Sequence, residues 1–162
     1  MHTLDKGCYS SANNEAERDV FHRASQILEE RHLRGQEPYN PNVIKDFLTY
    51  KLAHYEREVF SIIFLDETGH FIEYRELFYG TINAASVYPR EVVRAALETK
   101  ASSLVLSHNH PSGEPEPSNA DIRLTERLQK ALAVIDVEVK DHIVVGKALW
   151  RQYLRHRHLE SG

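Results

Sequence analysis

His108 and His110 stand one residue apart, and Ser118 and Asp121 follow them in the stretch SHNHPSGEPEPSNAD, Ser107–Asp121. The preceding SSLVLSH reads as a short buried strand. In a strand, residues i and i+2 point to the same face, so the two imidazoles are set to share one metal ion. The loop PSGEPEP carries three prolines, which reduce the entropy lost on closing it. Asp121 falls in the first turn of the helix that follows. If the loop folds back, two neutral nitrogens and one carboxylate meet, and the fourth position of a tetrahedral site stays open for water. That is the donor count of a catalytic zinc site rather than a structural one. A plainer reading competes: Ser118-x-x-Asp121 resembles an N-capping box, and the histidines then merely end a strand. The cap accounts for Ser118 and Asp121 but not for the paired histidines, and the two readings can hold together.

The elements that must position these residues follow from periodicity. NNEAERDVFHRASQILEERHLRG repeats Val20, Ala24, Ile27 and Leu28 at helical spacing, with Phe21 and Leu33 near the same face; Asn13 or Asn14 can cap it and Gly35 can end it. Asn40-Pro41 is an N-cap followed by proline at the first helical position, and Val43, Ile44, Phe47, Leu48 and Leu52 give this second helix its apolar stripe. The period then changes. EVFSIIFLD and FIEYRELF read as two strands joined by the turn ETGH, which makes them an antiparallel hairpin. YGTINAASV is a loop, and YPREVVRAALETKA a helix with Val92, Val93, Ala96 and Leu97 facing inward. SNADIRLTERLQKALAVI is a helix with Ile122, Leu124, Leu128, Leu132 and Ile135 as its apolar positions. VEVKDHIVVG is a further strand. The C-terminal KALWRQYLRHRHLESG reads as helical, anchored by Trp150 and Leu154. Interleaved strands and helices, with two strands adjacent in sequence, imply an α/β or α+β core with a mixed sheet covered by helices.

Bulk properties narrow the function classes. The 162 residues suit one domain with a small appendage, and 41% hydrophobic and 27% charged residues are the balance of a globular protein. The formal net charge is -4, and no long basic stripe marks a nucleic-acid surface. Arg151, Arg155, His156, Arg157 and His158 form the one basic cluster, read as a solvated tail rather than a phosphate site. Cys8 has no partner cysteine in the sequence, which suits a reducing, cytoplasmic setting. The N-terminus lacks the apolar stretch of a signal peptide. No apolar run approaches the ~18 residues needed to span a bilayer, so no membrane association is expected. There is no G-x-S-x-G elbow for a serine hydrolase.

The order His-x-His, seven residues, Ser, two residues, Asp resembles the JAMM motif of MPN-type metalloproteases. The fuller HNHPSGEPEPSNAD, with GTINAASVYPREVVRAAL upstream and DHIVVG downstream, resembles the RadC family of bacterial proteins over Asn40–Gly146. The resemblance implies an MPN (JAB) fold, a mixed curved sheet flanked by helices, here behind an N-terminal helical extension over residues 1–39. It implies one zinc ion per chain held by His108, His110 and Asp121. It also implies that Ser118 hydrogen-bonds near the developing oxyanion and that Glu58, in REVFSIIFLD, is the general base. On sequence alone Glu56 and Glu67 are rivals for that role. His142 lies in a matching block and reads as a core or supporting residue able to hydrogen-bond toward the zinc site. His2, His22, His32, His54 and His70 fall on polar faces or at a turn. The Gly-rich helix-hairpin-helix module that RadC proteins often carry has no counterpart in RHLRGQEPYN, and the C-terminal segment departs from the family's usual ending.

Three functions compete. The first is a zinc metallohydrolase acting on a peptide or isopeptide bond of a protein or peptide substrate. The second is a DNA-repair-associated or DNA-binding factor, which the acidic balance weakens because phosphate neutralisation supplies most such affinity. The third is a non-catalytic MPN scaffold, disfavoured because every motif position is filled. The N-terminal helices are free to pack on the core or on a second copy in a homo-oligomer.

Overall fold

The strand Val59–Leu65 (β1) is buried at every position, as befits a run that is apolar at all positions but Ser61 and is covered on both faces. A computed structural model describes residues 11–35, 37–146 and 150–152. The helix α1, Ser11–Leu28, continues as a π-helical turn over Glu29–Leu33. Next come α2 (Pro41–Leu52), β1, β2 (Phe71–Tyr79), α3 (Pro89–Thr99), β3 (Ser103–Asn109), α4 (Asn119–Ala133), β4 (Glu138–Val145) and β5 (Trp150–Gln152). The sheet runs β2-β1-β3-β4-β5. β1 is antiparallel to β2 and β3, β3 is parallel to β4, and β4 is antiparallel to β5, so the sheet is mixed, as expected.

Strand alternation divides the core into two layers. Phe60, Ile62 and Phe64 of β1 and Leu104 and Leu106 of β3 meet Val92, Ala95 and Ala96 of α3 and Leu124, Leu128 and Leu132 of α4. Val59, Ile63, Leu65, Val105, Ile143 and Val145 point the other way, onto Ile44, Phe47, Leu48 and Leu52 of α2. α1 packs outside α2, where Phe21 stacks on Tyr50 at 5.9 Å. Asn40 caps α2, its side chain accepting from the Asn42 N–H at 3.0 Å, with Pro41 at the first helical position. The β1–β2 hairpin closes through Asp66, whose carboxylate accepts from the backbone of Thr68 and His70.

Three expectations need correction. Leu97 is 59% exposed, because at 3.6 residues per turn it stands about 140° around α3 from Val92, outside the inward stripe. Val20 is likewise 66% exposed, since α1 contributes only one margin of its face to α2. The segment at Trp150 is a strand, not a helix: it adds to the sheet edge by pairing with Ile143–Val145, where backbone groups of β4 would otherwise lack partners. Leu154, Cys8 and the cluster Arg155–His158 lie outside the described residues. Among the described residues, no helix is long and apolar enough to cross a membrane.

Phe47 is fully buried and meets Phe71 and Tyr74 edge-on at 6.5 and 5.2 Å. Phe47→Ala is expected to lower stability by about 3–5 kcal/mol in urea unfolding, whereas Val20→Ala should change it by less than about 0.5 kcal/mol.

Candidate metal centre

β3 ends in Ser107-His108-Asn109, with His110 directly after it, and its alternation sends His108 toward the α4 layer and Asn109 toward the α2 layer. His108 and Asn109 are buried, and the His110 side chain is 14% exposed. The loop after His110 turns back through Gly113, which takes φ 93°, a backbone setting that glycine adopts without steric cost. Ser118 then caps α4. Its Oγ accepts from the Asp121 N–H at 3.1 Å, and its own N–H donates to Asp121 Oδ2 at 2.7 Å. The capping box is therefore real, and it is also the device that aims the Asp121 carboxylate at the histidines.

The three candidate ligands converge. His108 Nε2 and His110 Nε2 are 3.0 Å apart, His108 Nε2 is 3.2 Å from Asp121 Oδ1, and His110 Nε2 is 3.1 Å from Asp121 Oδ2. One donor atom from each residue lies within 4.8 Å of the others. Neighbouring ligands of a tetrahedral ion with bonds of about 2.0 Å stand about 3.3 Å apart, so the spacing suits a small divalent ion. Donor chemistry agrees. The other nitrogen of His110, Nδ1, lies 2.8 Å from the Glu114 carbonyl, which can only accept, so Nδ1 carries the proton. A neutral His110 ring thus turns a lone pair toward the carboxylate, and a cation or a proton must sit among the acceptors.

The electrostatics follow from this arrangement. Burial alone would raise the Asp121 carboxyl, but hydrogen bonds with His108, His110 and the Ser118 N–H hold it far below the usual carboxylate range. The hydrogen bond to Asp121 raises the His110 pKa despite burial, with smaller contributions from the Glu114 carbonyl and the charge of Glu58. His142 is pushed well below the usual histidine value, first by burial and then by His108.

Glu58 stands immediately before β1. Phe60, two residues on, pairs with His108, and the charge of Glu58 acts on His110. Its carboxylate accepts from the Ile82 N–H, and its carbonyl accepts from the Gly80 N–H at 2.9 Å, so the loop after β2 orients it. Glu56 is exposed in the approach to β1. Glu67 lies in the hairpin turn at the opposite end of the strand, on the order of 20 Å away for seven residues of β structure.

Asn109, Glu76 and Thr125, which sequence reasoning did not single out, complete the site together with His142, which it did. The Asn109 Oδ1 accepts from the Val59 N–H at 2.7 Å, and its Nδ2 donates to the Arg57 carbonyl at 2.9 Å. Those two groups belong to the peptide bonds on either side of Glu58, so the residue between the histidines clasps the segment that carries the glutamate. Two residues before Arg57, the Tyr55 hydroxyl donates to Glu76 at 2.7 Å. Behind the histidines, His142 Nε2 lies 2.8 Å from His108 Nδ1, and its Nδ1 lies 2.5 Å from the Thr125 hydroxyl. The sequence signal for Thr125 was its place four residues after Asp121, on the same helix face; Asn109 had none beyond its position between the histidines.

The family model for the RadC-like JAB domain matches residues 39–156. A UPF0758 protein of Vibrio cholerae serotype O1 is 49% identical over 138 residues, which cover 85% of this chain and 88% of that protein. A second from the same organism is 49% identical over 132 residues, 82% of this chain and 84% of that protein. A UPF0758 protein of Cellvibrio japonicus is 53% identical over 107 residues, covering 66% of this chain but 48% of that longer relative.

Adding zinc to chelator-stripped protein at about 100 times its dissociation constant is expected to stabilise the fold by about 2.7 kcal/mol, a rise in Tm of about 5–10 °C. The His108→Ala/His110→Ala variant should show no such rise in the same thermal scan.

Proposed function

The chain belongs to the RadC-like JAB family, and from that premise we propose that it is a zinc-dependent hydrolase cleaving a peptide or isopeptide bond of a protein or peptide substrate. The observation that carries the reading is the convergence of His108, His110 and Asp121 with their donor atoms at metal-ligand spacing. Two nitrogens and one carboxylate favour zinc and leave a coordination position for water or substrate. A bound zinc ion supplies Lewis acidity, which polarises a carbonyl and makes water nucleophilic near neutral pH.

The chain's own residues supply the rest. Glu58, whose charge acts on His110 and whose carboxylate is held by the Ile82 N–H, takes the proton from the attacking water at that carboxylate. It then returns that proton to the departing amine. Ser118 lies at the α4 N-terminus beside Asp121, where its hydroxyl stabilises negative charge developing on the scissile oxygen. Asn109 keeps Glu58 in register with the ligand strand, so base and metal ligands are fixed by one short segment. A cytoplasmic setting belongs to the same proposal. The net charge of -4 gives direct DNA binding no support.

A panel of peptide and isopeptide-linked substrates, assayed with zinc-loaded protein, tests the proposal. Glu58→Gln should keep its zinc and lose about 10²–10⁴-fold in kcat. Equal turnover by the wild type and this variant, or hydrolysis that survives complete zinc removal, would overturn it.

A further inference from the structure

The buried line of polar groups behind His108 has a direction that the chemistry of its members fixes. Thr125 Oγ1 lies 2.8 Å from the Asp121 carbonyl oxygen and 2.5 Å from His142 Nδ1. The carbonyl can only accept, so it takes the single hydroxyl proton. Thr125 Oγ1 must then accept from His142, which puts the His142 proton on Nδ1. In a neutral ring Nε2 is left as an acceptor, and it faces His108 Nδ1 at 2.8 Å. His108 therefore carries its proton on Nδ1 and turns the lone pair of Nε2 toward His110 and Asp121. Thr125 and His108 are fully buried and His142 is 1% exposed, so no water competes for these bonds.

We infer that Thr125 and His142 are positioning residues that select the metal-ligating tautomer of His108 and tie it to the Asp121 end of α4. The inference rests on the metal reading of the His108–His110–Asp121 group. Its geometry also links two ligands from distant elements. Asp121 and Thr125 sit one turn apart on α4, and the ring of His142 on β4 bridges from that turn to β3. Partners of this kind set both the orientation and the basicity of a ligand histidine. Thr125→Val keeps the shape of the side chain but removes the acceptor. A buried His142 Nδ1–H without a partner is costly, so the proton moves to Nε2, donates to His108 Nδ1, and drives the His108 proton onto Nε2. The lone pair that faces the metal is then capped.

Two readouts test this on the full chain. Long-range proton–nitrogen correlation spectra of the imidazoles report the tautomers in metal-free protein, and chelator competition reports zinc affinity. In the wild type, both His108 and His142 should carry the proton on Nδ1. In Thr125→Val both should switch to Nε2, with zinc affinity lower by about 10–100-fold. Thr125→Ser, which restores the hydroxyl, should recover the wild-type tautomers and most of the affinity. His142→Leu, which removes the acceptor for His108, should lose at least as much affinity as Thr125→Val. Unchanged tautomers or unchanged zinc affinity in folded Thr125→Val overturns the inference. Failure of the wild type to bind zinc overturns the metal reading instead, and the tautomers of the metal-free proteins then decide the relay.

Discussion

Three groups that can only accept when the rings are neutral, two imidazole nitrogens and a carboxylate, are held 3.0–3.2 Å apart. Such a cluster is unfavourable unless a cation or a proton sits inside it. Much of the surrounding structure serves to hold it in spite of that. Ser118 caps α4 and in doing so fixes the carboxylate. The Glu114 carbonyl fixes one ring, and His142 backed by Thr125 fixes the other. The low position of the Asp121 carboxyl and the raised His110 are two sides of one effect: without a metal, a proton takes the place of the cation.

The sheet explains why distant residues can meet so closely. β3 carries the candidate ligand His108, runs directly into His110, and lies between β1, which is preceded by Glu58, and β4, which carries His142. Both neighbours are buried along much of their length, and a slip of one residue would turn every side chain to the wrong layer. Register is therefore pinned by Phe60, Ile62 and Phe64 on one face and by Val59, Ile63 and Leu65 on the other. Asn109 adds a second lock where the core ends, clasping the peptide groups on either side of Glu58. The apolar core and the polar site are in this sense one construction, because the packing that stabilises the fold also sets the distances at the site.

Much of this was legible in the residues. The candidate metal ligands showed in the spacing of two histidines at a strand end and an acid at a helix start, both local patterns. Helices and strands followed from period, and the short apolar run of β1 suited a buried strand. Errors fell where a face is only partly covered. Leu97 and Val20 fit a helical stripe in sequence, yet too little packs against them to bury either. The strand at Trp150 was missed because three residues carry no period of their own and are set by the edge of β4. Asn109 and Thr125 act across 50 and 17 residues of chain, through a register that only the assembled sheet reveals. Glu58 was separated from Glu56 and Glu67 by family resemblance, and strand direction gives the physical reason Glu67 is remote.

X-ray absorption spectroscopy of the zinc-loaded protein tests the central claim most directly, because it reads the donor atoms themselves. A shell of nitrogen and oxygen at about 2.0–2.1 Å is expected, with the multiple-scattering pattern of two imidazoles and no sulfur. A sulfur shell at about 2.3 Å, or a zinc environment unchanged in the His108→Ala/His110→Ala variant, would contradict it.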